Sequence, residues 1–377
     1  MRILHIVTLV AADASFGGPA QVALAQAAAL KRHGNEVLLI AGGRGFRPGI
    51  SEVDGAAVKL FGTFAVAPRL GFAGLTSIPM LLWLCRNVWR FDVVHLHLAR
   101  DLIMIPSALV VLLSGKQFVA QPHGMIIHTG RRLERVLDAI ATRRVLRKAR
   151  TVFVLNKAEG REVEKVAGVP SSVLVNGLTD QPCVSRETPD REVLFLARLH
   201  ARKQPGTFVK MAIALAPRYP DVAFRLVGPD GGELAAIRAL ISASGLNDRI
   251  TIEDPVSPSA VRQRMQAAAV YVLPALDEPF GLTVLEALSV GVPVVISKSG
   301  GLAATIESTG SGLTAEDSAE SVAACVATLL DDDDLRTAMG ARGPQVVRDN
   351  FSIEHVCDRL VGAYNAALAD SATKRMD

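Results

Sequence analysis

The chain has 377 residues, half of them apolar and 21% charged, with aromatics scarce. That is room for two ordinary domains, each with its own core, and it excludes a disordered chain. A formal net charge of +4 is too small to argue for nucleic acid, so no nucleic-acid partner is expected.

The N-terminal stretch "MRILHIVTLVAADA" has the outline of a short secretory signal. His5 interrupts it, and it feeds into a Gly-Gly turn and a helical pattern, so it reads as a first strand, Ile3–Val7. In "FGGPAQV", Gly17 and Gly18 permit close backbone approach to a ligand, and Pro19 suits a first helical position. This is not a GxGxxG fingerprint, and no acidic residue stands at the expected place after strand two, which disfavours a nicotinamide dehydrogenase. Strand candidates continue at Glu36–Ile40, Val58–Phe61, Asp92–His95, Gln117–Gln121, Val152–Leu155 and Val173–Val175. The apolar stretch from Leu70 to Cys85 contains Pro79 and is too short to span a bilayer. His95 and His97 in "DVVHLHLAR" are expected to be structural. His123 in "AQPHGMI" stands apart at a strand end before Gly124, placed to hydrogen-bond a sugar hydroxyl or steady a charged transition state.

The stretch "LTDQPCVSRETPDR", Leu178 to Arg191, is polar, holds two prolines and has no period. It reads as the linker (181–191) between an N-terminal domain (1–180) and a C-terminal one (192–351). Further strands follow at Val193–Ala197, Ala223–Val227, Ile250–Ile252, Val270–Leu273 and Pro293–Ile296, again separated by helical segments. Repeated βαβ alternation predicts parallel sheets covered on both faces, two doubly wound Rossmann-like domains facing across a cleft. The run Asp331–Asp334 is expected to be a solvated helix N-terminus rather than a metal site. Cys85, Cys183, Cys325 and Cys357 stand far apart, with no CxxC or Cys/His ligand spacing. They read as buried free thiols in a reducing cytoplasm, not as disulfides or a zinc site.

The most informative stretch is "DEPFGLTVLEALSVGVPVV", Asp277 to Val295. A strand leads into a turn at Pro279–Gly281, and Leu282–Val290 reads as a helix closed by Gly291 and Pro293. The amides of Gly281, Leu282 and Thr283 then point out of a helix start, which suits a phosphate. Glu278 and Glu286 flank that spot, and a carboxylate can accept both hydrogen bonds of a vicinal diol. A nucleotide-sugar has the matching layout of ribose, pyrophosphate and hexose. A diphosphate also needs cations. "LFLARLHARKQP" supplies Arg198 and Lys203 after a strand, with His200 and Arg202 beside them. Each charge-assisted contact contributes roughly 1.5–3 kcal/mol.

Together these residues resemble the family-4 retaining glycosyltransferases of the GT-B fold, over nearly the whole chain. The resemblance rests on "FGGPAQV", "DVVHLH", "QPHG", "VLVNGL", "FLARLHARK", "VGPDGGE" and above all "EPFGLTVLEALSVGVPVV". It implies transfer of a hexose from a nucleotide-sugar to a hydroxyl acceptor, with retention and without a metal or other cofactor. It implies that Arg198 and Lys203 hold the diphosphate and Glu286 the ribose diol. Glu278 would contact the donor sugar, the turn from Phe280 through Gly281 and Leu282 to Thr283 a phosphate, and Gly17 and Gly18 the diphosphate. His123 would lie near the reacting sugar. It also implies that the last helix, about Ser352–Leu368 within 352–377, returns to the first domain. Departures are Ala197 and Gln204, where glycine is usual on either side of the Arg/Lys element, Ala275 where serine is usual, and Ala303–Ala304 where an acidic residue is common. The first loop also lacks the usual Glu-Arg pair.

The segment from Arg131 to Arg150 carries eight Arg/Lys against two Asp/Glu, with Leu133, Val136, Leu137, Ile140, Val145 and Leu146 as an apolar set. As a basic amphipathic helix it is expected to rest weakly on anionic lipid at the inner face of the membrane, serving a glycan, polysaccharide or lipid-linked acceptor. Two other functions fit the scaffold: a nucleotide-sugar 2-epimerase, and a non-catalytic nucleotide-sugar-binding partner subunit.

Overall fold

The computed structural model describes residues 1–11, 17–46, 48–67, 71, 73–128, 138–179 and 191–373. The chain divides into two compact units, Met1–Thr179 with Ile353–Asp377, and Asp180–Ser352. Most of the 181–191 linker, Cys183 and the 131–137 half of the basic segment lie outside the described residues.

The first unit contains β1 (Arg2–Ala11), β2 (Glu36–Arg44), β3 (Gly49–Val53), β4 (Ala56–Gly62), the short pair β5 (Phe64–Ala65) and β6 (Leu75–Thr76), β7 (Val93–Leu96), β8 (Phe118–Ala120), β9 (Phe153–Val154) and β10 (Ser172–Val173). Its main sheet runs β3-β4-β2-β1-β7-β8, parallel except for β3, which pairs antiparallel with β4 at the edge. β1 is apolar almost throughout because both its faces are covered. Ile3 and Val7 join one core, with the helix Gly17–Arg32 and the last helix. Leu4 and Ile6 join the other, with Met80, Leu84, Met104 and Ala108 of two further helices. The last helix, Ile353–Thr373, buries Ile353, Val356, Cys357, Leu360 and Tyr364, a helical stripe, in the first of these cores.

The second unit contains β11 (Glu192–Leu196), β12 (Ala223–Val227), β13 (Ile250–Glu253), β14 (Val270–Leu273), β15 (Val294–Ser297) and β16 (Gly312–Ala315), in the order β13-β12-β11-β14-β15-β16, all parallel. The winding reverses between β11 and β14, and ligands of such sheets bind beyond the strand C-termini at that point. The long helix Asp333–Phe351 packs closely on the helix Leu282–Ser289 because Gly343 carries no side chain. A Cβ there would sit 2.5 Å from the Leu288 carbonyl oxygen.

Some details differ from the sequence reading. β3, β5, β6 and β16 are additional strands, and the helix expected to reach Val290 ends at Ser289. The first helix begins at Gly17 itself, so Pro19 is its third residue rather than its first. Cys85 is exposed, not buried, since it sits on the outer side of the helix Ile78–Asn87. Asp331 closes one helix and takes hydrogen bonds from Arg218 and the Tyr219 hydroxyl, while Asp332 caps the next through the Leu335 N–H at 2.8 Å. In the basic segment Val145 and Leu146 belong to the core, and Arg143 and Arg147 donate to the Val166 and Ala167 carbonyls at the end of the helix Lys157–Ala167. Ile140 alone of the described apolar set faces solvent. No described helix is long and apolar enough to cross a membrane.

Candidate active site

The two strands flanking the switch point of the second sheet end in the two segments that the sequence marked. After β11 the chain passes through Ala197 and Arg198, pairs Leu199 with Asp230, and turns through a short 3-10 helix, Ala201–Lys203. His200 caps that turn by accepting the Arg202 N–H on Nδ1 at 3.2 Å. Gln204 follows in the left-handed region (φ 53°) and leads into the helix Pro205–Leu215. A non-glycine residue is strained there. Two side-chain bonds hold it, to the Ala201 carbonyl (2.7 Å) and from the Thr207 hydroxyl (3.0 Å). The next glycine turn packs beneath: a Cβ on Gly231 would meet the His200 Cβ at 2.8 Å.

After β14 the chain runs through Ala275 to Glu278, and the two segments join. The Leu276 N–H donates to the Arg202 carbonyl at 2.9 Å. Lys203 Nζ donates to Glu278 Oε2 at 2.6 Å, and Arg202 stands 3.8 Å from the same oxygen. Glu278 also fixes a neighbouring turn, since its carbonyl accepts the Gly301 N–H at 2.8 Å. The side chains of Lys203 and Glu278 are 22% and 15% exposed, so the pair is sheltered but reachable. Lys203 retains two further N–H donors for an anion. Arg198 is half-buried, and burial together with the nearby charge of Arg202 pushes its pKa down.

The helix Leu282–Ser289 starts at Gly281, which sits in the left-handed region (φ 76°). The first N–H groups of a helix have no intrahelical acceptor, so the amides of Leu282 and Thr283 are available to an anion. Thr283 is tied down by its side chain, 2.7 Å from the Tyr271 hydroxyl of β14, which also donates to the Leu196 carbonyl of β11 at 3.1 Å. That buried tyrosine bolts the helix start to both switch-point strands. Phe280 is itself buried, edge-to-face on Phe351 at 5.7 Å, so its ring shapes the turn and only its backbone is offered to a ligand. Glu286, one turn further along, has its carboxyl pushed up to about 7 by burial, opposed by the charge of Arg262.

The remaining candidates lie in the first unit. Gly18 stands in the first turn of its helix, and an added Cβ there would meet nothing within 4 Å. His123 follows β8 in the left-handed region (φ 54°), a conformation that carries strain and occurs disproportionately at functional sites. Glu159 fixes the turn by accepting the Gly124 N–H at 2.5 Å and the Leu155 N–H at 2.7 Å. His123 does not stand apart from the histidines before it: His97 Nδ1 lies 2.7 Å from His123 Nε2. Sequence reasoning missed Tyr271, Glu159 and that link, because each depends on a partner distant in the chain.

Two protein-family models match the chain, "Glycosyl transferase 4-like domain" over residues 17–177 and "Glycosyl transferases group 1" over residues 181–346. A D-inositol 3-phosphate glycosyltransferase of Corynebacterium glutamicum is 33% identical over 184 residues, 47% of this chain and 44% of that protein. The matched region thus spans under half of that curated relative's length. Among solved structures, sucrose-phosphate synthase from Thermosynechococcus elongatus superposes with a TM-score of 0.76 at 19% identity, covering 98% of this chain and 99% of that one. Anabaena HepE, solved in complex with UDP-glucose, gives a TM-score of 0.74 at 16% identity, covering 97% of this chain and 100% of that one. These two likenesses establish the fold.

Proposed function

The chain belongs to the family-4 glycosyltransferases of the GT-B fold, and from that premise we propose that it moves a hexose from a nucleotide-sugar to a hydroxyl acceptor, with retention and without a metal. The observation that carries this reading is the convergence at the second switch point. Lys203, in the segment after β11, meets Glu278 in the segment after β14, just ahead of an open helix start. Arg198, Lys203 and the amides of Leu282 and Thr283 are assigned to the diphosphate. Glu278 takes a hydroxyl of the donor sugar and Glu286 the ribose diol. In the first unit, His123 is assigned to a hydroxyl of the reacting sugar, and the Gly17–Gly18 backbone to the diphosphate.

The chemistry follows from charge. As the bond between the anomeric carbon and the diphosphate oxygen breaks, negative charge grows on the diphosphate, where two cations and the helix amides receive it. That is the role a divalent cation would otherwise fill. The acceptor hydroxyl forms the new bond on the same face and gives its proton to the departing phosphate oxygen, so no separate protein base is needed. The acceptor is assigned to the class of glycans, polysaccharides and lipid-linked sugars. The exposed Arg144, Lys148 and Arg150 would bring the protein weakly to anionic lipid at the inner membrane face.

The test is to incubate UDP-, GDP-, ADP- and dTDP-hexoses with and without glycan or lipid-linked acceptors. Nucleoside diphosphate release and the anomeric configuration of the product are then followed by NMR. The proposal expects acceptor-dependent release and a retained anomer. Epimer formation without acceptor, or an inverted product, would overturn it.

A further inference from the structure

Four histidines and a tyrosine of the first unit form one continuous hydrogen-bonded chain that the proposed transfer does not itself require. His5 of β1 and His95 of β7 are register partners, His97 lies just past β7, His123 just past β8, and Tyr364 on the last helix. His123 Nε2 is 2.7 Å from His97 Nδ1, and His97 Nε2 is 3.0 Å from His5 Nδ1. His5 Nε2 is 3.3 Å from the Tyr364 oxygen, which is 2.7 Å from His95 Nδ1. His5, His95, His97 and Tyr364 are wholly buried, so water does not substitute for any of these links.

Three buried imidazoles whose nitrogens lie within 4.8 Å of one another first suggest a metal. Their ring planes argue otherwise. An imidazole lone pair lies in the plane of its ring, and the His95 and His97 rings are stacked 4.4 Å apart and parallel to within 7°. No nearby point lies in both planes. His97 and His123 are arranged differently: 11° between planes, centroids 5.0 Å apart and nitrogens 2.7 Å apart place the rings edge to edge, the geometry of an in-plane N–H···N bond.

Burial holds all four histidines below the usual range, so each is neutral, with one N–H and one lone pair. Two donors or two lone pairs facing each other in this interior would leave buried groups unpaired, which is costly. The chain therefore runs one way from end to end. If Nδ1 carries the proton in one histidine it does so in all four, and the same holds for Nε2.

We propose that this chain is a tautomer lock, which holds His5, His95, His97 and His123 in one common tautomer and so decides whether the Nδ1 edge of His123 offers a lone pair or an N–H. Tyr364, His5, His95 and His97 are then positioning residues for His123. The role of His123 toward a sugar rests on the proposed function, but the lock does not. The test uses the full chain labelled with 15N-histidine. Two-bond 15N–1H correlation spectra should show the same protonated nitrogen in all four rings, and a mixed pattern would overturn the lock. Tyr364→Phe removes the hydroxyl that links His5 to His95. In the folded variant, His123 should shift toward a mixture of tautomers. Its kcat should fall about fivefold, the equivalent of one net hydrogen bond, with donor KM unchanged. Unaltered His123 nitrogen shifts in that variant would also overturn the lock. Failure of transfer by the wild type with the common tautomer intact would count against the proposed function alone.

Discussion

Lys203 Nζ stands 2.6 Å from Glu278 Oε2 across 75 residues of sequence, joining the ends of the two strands where the second sheet reverses its winding. The two side chains are assigned to adjoining parts of one ligand, and each also orients the other. Lys203→Ala and Glu278→Ala should each lower kcat/KM by roughly 10- to 150-fold, the loss of one charge-assisted contact. The double variant should lose much less than the product of the two, because both single changes break the same pair. Steady-state kinetics on the four proteins check this, and strict multiplicativity would show that the pair does not act as a unit.

Glu286 predicts a pH dependence. Its folded-state pKa is raised from the ordinary glutamate value to about 7 by burial. Between those two values the folded protein binds the extra proton, so this group's contribution to stability falls as pH rises from about 4.5 to 7. Glu286→Gln should remove that slope and be relatively more stable at pH 8. For the donor the sign reverses, since the ionised carboxylate is the better acceptor of a ribose diol. Donor KM should fall as pH rises through about 7. In Glu286→Gln it should be higher and flat, as pH-dependent thermal melts and KM profiles would read.

The local arrangement at these strand ends was largely legible in the chain itself. A strand, a Pro-Phe-Gly turn and a helix with glutamates on either side form a local pattern, and local patterns survive folding. The Arg/Lys element was legible for the same reason. The edge strand β3 was not, because all but one of its residues are exposed and it has no buried face to impose a two-residue period. Nor was β16, four residues ending a run of Gly, Ser and Thr. The histidine chain was illegible in principle, since its links span 92, 26, 359 and 269 residues. His95 and His97 are fully buried, as expected of structural histidines; what the sequence did not show is their link to His123 and Tyr364.

Gln204 is where the departure from the family pattern acquires a physical consequence. The left-handed backbone costs a non-glycine residue roughly 1–2 kcal/mol, and the two side-chain bonds of Gln204 return about the same. Gln204→Gly should therefore leave the melting temperature nearly unchanged. Gln204→Ala keeps the strain and loses the bonds, and Gln204→Val adds a β-branch. Thermal unfolding should rank glutamine and glycine together, then alanine, then valine.

Membrane attachment, if it operates through the basic segment, is electrostatic, because Val145 and Leu146 are committed to the core. Sedimentation with anionic vesicles should fall steeply as salt is raised. Arg144→Glu with Lys148→Glu should abolish it without changing transfer to a soluble acceptor. Equal binding to neutral vesicles would contradict it.

The most direct test of the account is titration calorimetry with UDP, GDP, ADP and dTDP on the wild type and on Arg198→Ala/Lys203→Ala. The account predicts that one nucleoside diphosphate binds the wild type and that the double variant, still folded, loses at least tenfold in affinity. Undiminished affinity in the variant, or no binding of any of the four to the wild type, would contradict it.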